Sequence, residues 1–164
     1  MLFALIVAGG FALMEPLTAA THRWVMHGVG EWFHRSHHRP GRTAGWERND
    51  WFTVVFASIV MFGFWLGFNT ELTALVPLGI GVTLYGVAYA LVHDGYIHRR
   101  LRVFGTRRIT AFDRLADAHR IHHLYNAAPY GMLVPIVPAA LRARAATTDR
   151  DPFVSASTAT TVAG

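Results

Sequence analysis

Cysteine and lysine are both absent from this chain of 164 residues. Without cysteine there can be no disulfides, thiolate metal sites, iron–sulfur clusters or thiol nucleophiles. Charge is also scarce, since charged residues make up 15% of the chain against about 25% in a typical soluble domain. Apolar residues reach 52%. The composition argues against a soluble globular protein, and the length allows one domain at most.

Several catalytic motifs are missing as well. The sequence has no glycine-rich phosphate loop, no G-x-S-x-G elbow, no H-E-x-x-H zinc motif and no flavin or nicotinamide fingerprint. It also lacks the paired Glu-x-x-His motifs of carboxylate-bridged di-iron bundles. These absences leave the common soluble hydrolases, kinases and dehydrogenases without support.

Long apolar runs are present instead. Residues 1–21 are apolar except for Glu15 and Pro16, Trp51–Phe68 carries no charge, and neither does Leu72–Val92. A helix rises about 1.5 Å per residue and the hydrocarbon core is about 30 Å thick, so each run is long enough to span it or nearly so. A fourth stretch, residues 127–141, is short and holds three prolines, which favours a re-entrant or interfacial segment.

The basic residues, all fifteen of them arginine, lie on one side of this pattern. Five fall between the first and second spans, ten follow the third, and none precedes the first or lies in the turn at residues 69–71. The positive-inside rule therefore makes both arginine-bearing segments cytoplasmic and the N-terminus external. Because the arginines flank apolar runs, we predict no nucleic-acid partner.

Ten histidines form four short clusters on that same side. His22-x4-His27 is followed by His34-x2-His37-His38, and the pattern repeats as His93-x4-His98 followed by His119-x2-His122-His123. Each set begins where an apolar span ends. Two matched sets of five predict two metal sites of about four or five ligands each, or fewer where some histidines are hydrogen-bonding partners of the ligands.

Helix geometry divides these motifs into two kinds. In H-x-x-H-H all three histidines share one helix face, since they are three and four residues apart. In H-x4-H the two side chains are about 140° apart on an ideal α-helix. We therefore expect that these pairs serve different metals or that the helix is locally unwound.

The four histidine boxes are similar to those of the integral-membrane fatty acid hydroxylase superfamily of non-haem di-iron enzymes. Within it the chain most resembles the bacterial β-carotene hydroxylases, over roughly residues 14–135. The matching blocks are Met14-Glu15, HRWVMHG at 22–28, WFHRSHH at 32–38, Asn49-Asp50, VVFA at 54–57, HDG at 93–95 and AHRIHH at 118–123.

The resemblance implies an all-α integral membrane bundle of three to four transmembrane helices, with a cytoplasmic helical cap that carries the histidine boxes. It implies two iron ions held by the ten histidines, O2 as co-substrate, and hydroxylation of β-carotene at ring carbon 3 to cryptoxanthin and zeaxanthin. It also implies ferredoxin and ferredoxin reductase as electron donors, in the bacterial cell membrane. Because an all-histidine shell leaves the metals strongly positive, Asp94 and Asp117 are the predicted catalytic acids beside it.

Other interpretations of the sequence remain open at this stage. The substrate could be another carotenoid, a fatty acid or a sterol, and the reaction a ketolation. A non-catalytic membrane metal carrier or haem-binding subunit is a different class, but carriers place ionisable ligands within their spans, and the second and third runs hold none. We predict one hydroxylase domain over residues 1–144 and a disordered tail over 145–164.

Overall fold

The computed structural model describes residues 1–39 and 45–153, and these contain helices and loops but no strand. Helix α1 (Leu2–Ala20) continues directly into a π-helix, π1 (Thr21–Val29), and α2 (Glu31–His34) follows. Helix α3 covers Asp50–Asn69. Helix α4 (Leu75–Ala90) continues into π2 (Leu91–Ile97), and α5 (Thr110–Tyr125) and α6 (Ala139–Ala145) complete the order.

Three of these helical segments are long and apolar enough to cross a membrane: Leu2–Val29, Asp50–Asn69 and Leu75–Ile97. They correspond to the three predicted spans, and the prediction of an all-α membrane bundle is confirmed. Large apolar side chains point outward along them; on α3, Val55, Ile59 and Phe62 are all more than half exposed. Such a surface suits lipid and not water.

Helices α1 and α4 pack closely because small residues line their contact. A Cβ atom on Gly81 would overlap the backbone carbonyl of Val7, and one on Gly10 would lie 3.0 Å from the carbonyl oxygen of Leu78. In a membrane, where apolar side chains gain little by leaving lipid, such close backbone approach is a main source of helix association. The glycines therefore fix how the first and third spans sit against each other.

The antiparallel course of the three spans brings their histidine-bearing ends together. The first and third spans end in π1 and π2, and α3 begins at the same end of the bundle. Helix α5 packs against π2 there and ends at Asn126, whose backbone is left-handed (φ 51°). That residue stops the helix after Tyr125 and turns the chain into the predicted fourth segment.

This fourth segment does not form a spanning helix. Residues 126–138 contain no regular helix, and α6 follows. The first part of the predicted tail, residues 145–153, is described by the structure and contacts α5. Arg120 of α5 donates hydrogen bonds to the carbonyls of Thr148 (3.0 Å) and Arg150 (2.9 Å), so residues 145–153 are held against the cap. The rest of the predicted tail lies outside the described residues.

Candidate metal centre

The two H-x4-H pairs are aligned by π-helices: π1 contains His22 and His27, and π2 contains His93 and ends directly before His98. A π-helix is closed by hydrogen bonds from residue i+5 to residue i, which places residues five apart above one another. The backbone N–H of His98 donates such a bond to the carbonyl of His93, at 2.9 Å. The ring centroids lie 4.5 Å apart in this pair and 4.9 Å apart in His22–His27. Of the two sequence-based alternatives, the locally unwound helix is the one observed.

Five histidines form what we call the first cluster: His22, His27, His34, His38 and His122. One ring nitrogen of each lies within 4.8 Å of one nitrogen of every other member. The Nε2 of His34 is 3.1 Å from the Nε2 atoms of both His22 and His38. The Nε2 atoms of His27 and His122 are also 3.1 Å apart.

Four more histidines form the second cluster, again with one ring nitrogen of each within 4.8 Å of the others: His37, His93, His98 and His119. Two Nε2 pairs, His37–His93 and His98–His119, are 3.0 Å apart. The tenth histidine, His123, lies between the clusters. Its Nε2 is 2.9 Å from that of His119, and its ring stacks on His38 with centroids 4.2 Å apart.

The clusters do not correspond to the two sequence repeats. Four members of the first cluster come from the N-terminal set, but its fifth, His122, comes from the C-terminal set. The second cluster takes His37 from the N-terminal set in return. The sequence left this grouping open, and in the structure the central histidine of each H-x-x-H-H box lies in the cluster formed mainly by the other set.

Backbone and side-chain oxygens orient the rings through Nδ1. The Nδ1–H groups of His22 and His122 donate to the carbonyls of Tyr130 (3.0 Å) and Ala127 (2.6 Å), and that of His34 donates to the Asn49 amide oxygen (2.7 Å). With Nδ1 protonated, the neutral ring presents a lone pair on Nε2. These rings therefore face one another with lone pairs and no proton between them.

The spacing of those nitrogens suits a metal ion. Metal–imidazole bonds are about 2.0–2.1 Å long, so two ligands at right angles around one ion are about 3 Å apart. Facing lone pairs at this distance repel unless a cation lies between them. The donor set thus fits one ion in each cluster, and imidazole is a ligand for iron, zinc, copper and nickel alike.

Burial keeps these histidines in the form that binds metal. Burial, together with the neighbouring imidazoles, lowers the pKa of His34, His38 and His122 to about 2. The pKa values of His98, His119 and His123 are also well below the usual value, again mainly through burial. All six are neutral near pH 7, so no proton competes with a cation for their Nε2 atoms.

Two acidic residues contact the second cluster directly, and one arginine links them to each other. Asp94 accepts from His93 Nδ1 at 3.2 Å, and Glu47 accepts from His37 Nδ1 at 3.5 Å. Arg100 pairs with both carboxylates, at 3.4 and 3.1 Å, and forms a two-pronged pair with Asp50 at 2.8 and 2.7 Å. Asp50 raises the pKa of Arg100, so a permanent cation links the three acids.

The two predicted acids therefore differ in position. Asp94 contacts a clustered histidine and also forms an arginine ion pair. Asp117 is exposed on α5. Its carboxylate forms no hydrogen bond or ion pair with the residues that the structure describes, so the structure does not bring it to the clusters.

Sequence reasoning missed the oxygens that orient the rings. Glu47 and Asn49 directly precede α3, and Asp50 is its first residue. This polar run at the start of a span was the sequence feature that could have indicated them. The carbonyls of Ala127 and Tyr130 leave no sign in the side-chain pattern.

An aromatic side chain from the C-terminal segment covers the second cluster. The Phe153 ring lies 5.1 Å from the His98 ring, 5.0 Å from that of His123 and 6.3 Å from that of His119, measured between centroids. The same ring packs against the apolar cluster of Val92, Tyr96, Ile97 and Met132.

A bundle of three membrane-length helices that gathers ten histidines at one end defines a membrane protein with a candidate two-metal histidine centre. The chain belongs to the fatty acid hydroxylase family, whose sequence profile matches residues 7–140. No solved structure gives a significant match.

Curated relatives include two bacterial proteins. The chain is 42% identical to the beta-carotene hydroxylase of Pseudescherichia vulneris over 120 residues, which cover 73% of this chain and 67% of the relative. It is 38% identical to the beta-carotene hydroxylase of Paracoccus sp. (strain PC1), with 73% of each covered. The chloroplastic beta-carotene 3-hydroxylase of Haematococcus lacustris is 39% identical over 138 residues, and this chain spans only 42% of its length.

Proposed function

We propose that this chain is a membrane-bound monooxygenase that hydroxylates carbon 3 of the β-ionone rings of β-carotene, giving cryptoxanthin and then zeaxanthin. The observation that carries the proposal is the pair of histidine clusters at one end of the spans, in a chain similar to beta-carotene hydroxylases. O2 and two electrons are consumed for each ring. One oxygen atom enters the C–H bond and the other leaves as water with two protons.

Two iron ions are the proposed cofactors, one for each cluster. When bound, they supply the redox chemistry that activates O2. The chain contributes neutral imidazoles whose orientation is set by the Nδ1 acceptors, and acids that balance the positive charge beside His37 and His93. All ten histidines, with Asp94 beside them, remain the proposed site residues, whereas the contacts give Asp117 no part in it.

The proposed substrate is an apolar rod that fits the surroundings of the spans. A carotenoid is comparable in length to the hydrocarbon core of about 30 Å, so one ring can reach the histidine end while the polyene stays in lipid. Tyr89 lies at the boundary between the apolar part of the third span and the second cluster, since its ring is 4.9 Å from the ring of His93. A hydroxylated ring prefers the interface, and the molecule must then re-enter reversed, so cryptoxanthin accumulates first.

Expression in a bacterium that accumulates β-carotene, followed by pigment chromatography, tests the reaction. We expect cryptoxanthin at early times and zeaxanthin later. If β-carotene stays unconverted while a fatty acid is hydroxylated by the same metal-loaded protein, the carotenoid assignment is wrong within the family. If neither is oxidised and metal still binds, a non-catalytic metal-binding protein is favoured.

We further propose that the chain lies in the bacterial cell membrane with its histidine end in the cytoplasm. The support is the arginine distribution, fifteen on that side and none in the turn at residues 69–71. Reporter fusions after Ala145 and within that turn decide it. An external C-terminal reporter would contradict the proposal.

Ferredoxin and its reductase are the proposed electron donors, because the chain has no cofactor fingerprint to collect electrons. Of the basic cluster between Arg99 and Arg108, three arginines have partners in the fold: Arg99 donates to the Gly105 and Arg107 carbonyls, Arg100 pairs with acids and Arg108 with Asp113.

The side chains of Arg102 and Arg107 are exposed, so we place acidic ferredoxin there. Arg102→Glu with Arg107→Glu should slow ferredoxin-dependent turnover and weaken its dependence on ionic strength. Arg142→Glu, an exposed arginine on α6, is the matched control. Equal effects of both changes would argue against this docking surface.

A further inference from the structure

A carboxylate inside the first span makes contacts that the proposed chemistry leaves unexplained. Glu15 lies in the apolar helix α1, where an ionisable residue is costly and usually functional. Its Oε2 accepts hydrogen bonds from the Tyr85 hydroxyl of α4 (2.6 Å) and from the backbone N–H of Leu133 (3.0 Å). Its Oε1 accepts from the backbone N–H of Val134 (2.9 Å). One side chain thus joins two spans and the segment after α5.

That segment is the one that orients two histidines of the first cluster. Its carbonyls at Ala127 and Tyr130 accept from the Nδ1 groups of His122 and His22. The segment has no helix or strand of its own to hold these carbonyls in place. Met132 of this segment is buried against Val92, Tyr96 and Ile97 of the third span, and the hydrogen bonds from Leu133 and Val134 to Glu15 attach the segment to the first span.

The fit between Glu15 and this segment is close. A Cβ atom on Gly131 would lie 2.5 Å from Glu15 Oε1, so the backbone passes nearer to the carboxylate than any other residue type would allow. Glu15 is not a member of either histidine cluster. It acts on the clusters only through the segment that it holds.

We propose that Glu15 is a positioning residue for the first metal site. By accepting two backbone N–H groups of residues 133–134 and the Tyr85 hydroxyl, it fixes the carbonyls that set the tautomer and direction of His22 and His122. Partners that orient metal-binding imidazoles typically change metal affinity by about 10–100-fold when lost. The proposal rests on the proposed role of the first cluster as a metal site.

Glu15→Gln tests the proposal in the full-length protein loaded with ⁵⁷Fe(II). Glutamine keeps the shape but turns an amide N–H₂ toward backbone donors, so at least one hydrogen bond is lost. Mössbauer spectra of His22→Ala and His93→Ala assign the signals of the first and second clusters. We expect Glu15→Gln to alter the first-cluster signal, with iron there bound at least 10-fold more weakly, and to leave the second-cluster signal unchanged. Tyr85→Phe removes one hydrogen bond of three and should cause a smaller change of the same kind.

Glu71→Gln, an exposed glutamate in the turn at the far end of the spans, is the matched control and should change neither signal. If Glu15→Gln leaves both signals intact, or weakens both equally, the proposal is overturned. A wild-type protein that binds no iron would instead refute the proposed function, so the two failures are distinguishable.

Discussion

The first and second clusters hold similar numbers of imidazoles but differ in what accepts their Nδ1 protons. The first relies on neutral oxygens, the carbonyls of Ala127 and Tyr130 and the amide of Asn49. The second relies on the carboxylates of Glu47 and Asp94, which Arg100 links. A charged acceptor makes the imidazole more electron-rich than a neutral one does.

The difference teaches that a repeated ligand motif need not produce two equivalent sites. The two sets of five histidines match in spacing, yet the oxygens around the two clusters differ. Carbonyls of the irregular segment after α5 orient two rings of the first cluster and Asn49 a third, whereas Glu47 and Asp94 contact the second cluster. The second site is therefore better suited to an ion of higher positive charge.

The largest expected effect follows from removing either His37 or His122, the two histidines that lie in the cluster formed mainly by the other set. His122→Ala should deplete the first cluster and His37→Ala the second, each lowering iron from about two ions per chain to about one. Activity should be abolished in both, because ligands of a two-metal site act as a unit. Metal analysis together with Mössbauer spectra of each variant measures which site is lost.

Asp117→Ala on the same helix as His122 is the control, since Asp117 is exposed and should leave both ions in place. If His122→Ala depletes the cluster that contains His93 and His98, the sites follow the sequence repeats and the observed grouping is wrong.

The sequence was sufficient to predict the helical class and the three spans, because apolar runs of eighteen or more residues with at most one charge have few alternatives to a membrane helix. It was also sufficient to place all ten histidines on one side. The grouping was out of reach, since helix periodicity says which residues share a face but not which neighbouring helix that face meets.

Local geometry was predictable only in part. The 140° offset within H-x4-H required either separate metals or an unwound helix, and only the structure shows the π-helices that align His93 with His98. The role of Glu15 depends on backbone N–H groups more than a hundred residues away. No side-chain pattern encodes such a contact.

Removing one charge at the second cluster is the next largest expected effect. Asp94→Asn keeps the shape but withdraws a carboxylate from His93 and Arg100. We expect iron in the second cluster to bind about 10–100-fold more weakly and its reduction potential to rise, because less negative charge then stabilises the oxidised ion. Redox titration followed by Mössbauer spectroscopy measures both quantities.

Asp117→Asn makes the same chemical change on an exposed side chain, so it should leave affinity and potential unaltered. Similar effects of the two substitutions would mean that the carboxylate of Asp94 acts through overall charge and not through its contact with His93.

The smallest expected effect concerns access to the second cluster from water. Phe153 covers His98, His119 and His123 but makes no ring contact with a member of the first cluster. Phe153→Ala should therefore let a water-soluble chelator remove the second ion severalfold faster while the first leaves at its original rate. Arg120→Gln, which releases the carbonyls of Thr148 and Arg150, should act in the same direction, and Phe3→Ala at the exposed start of α1 is the matched control. Equal acceleration at both clusters would show that the C-terminal segment stabilises the whole cap, whereas acceleration at the second alone ties protection of that site to a single aromatic ring.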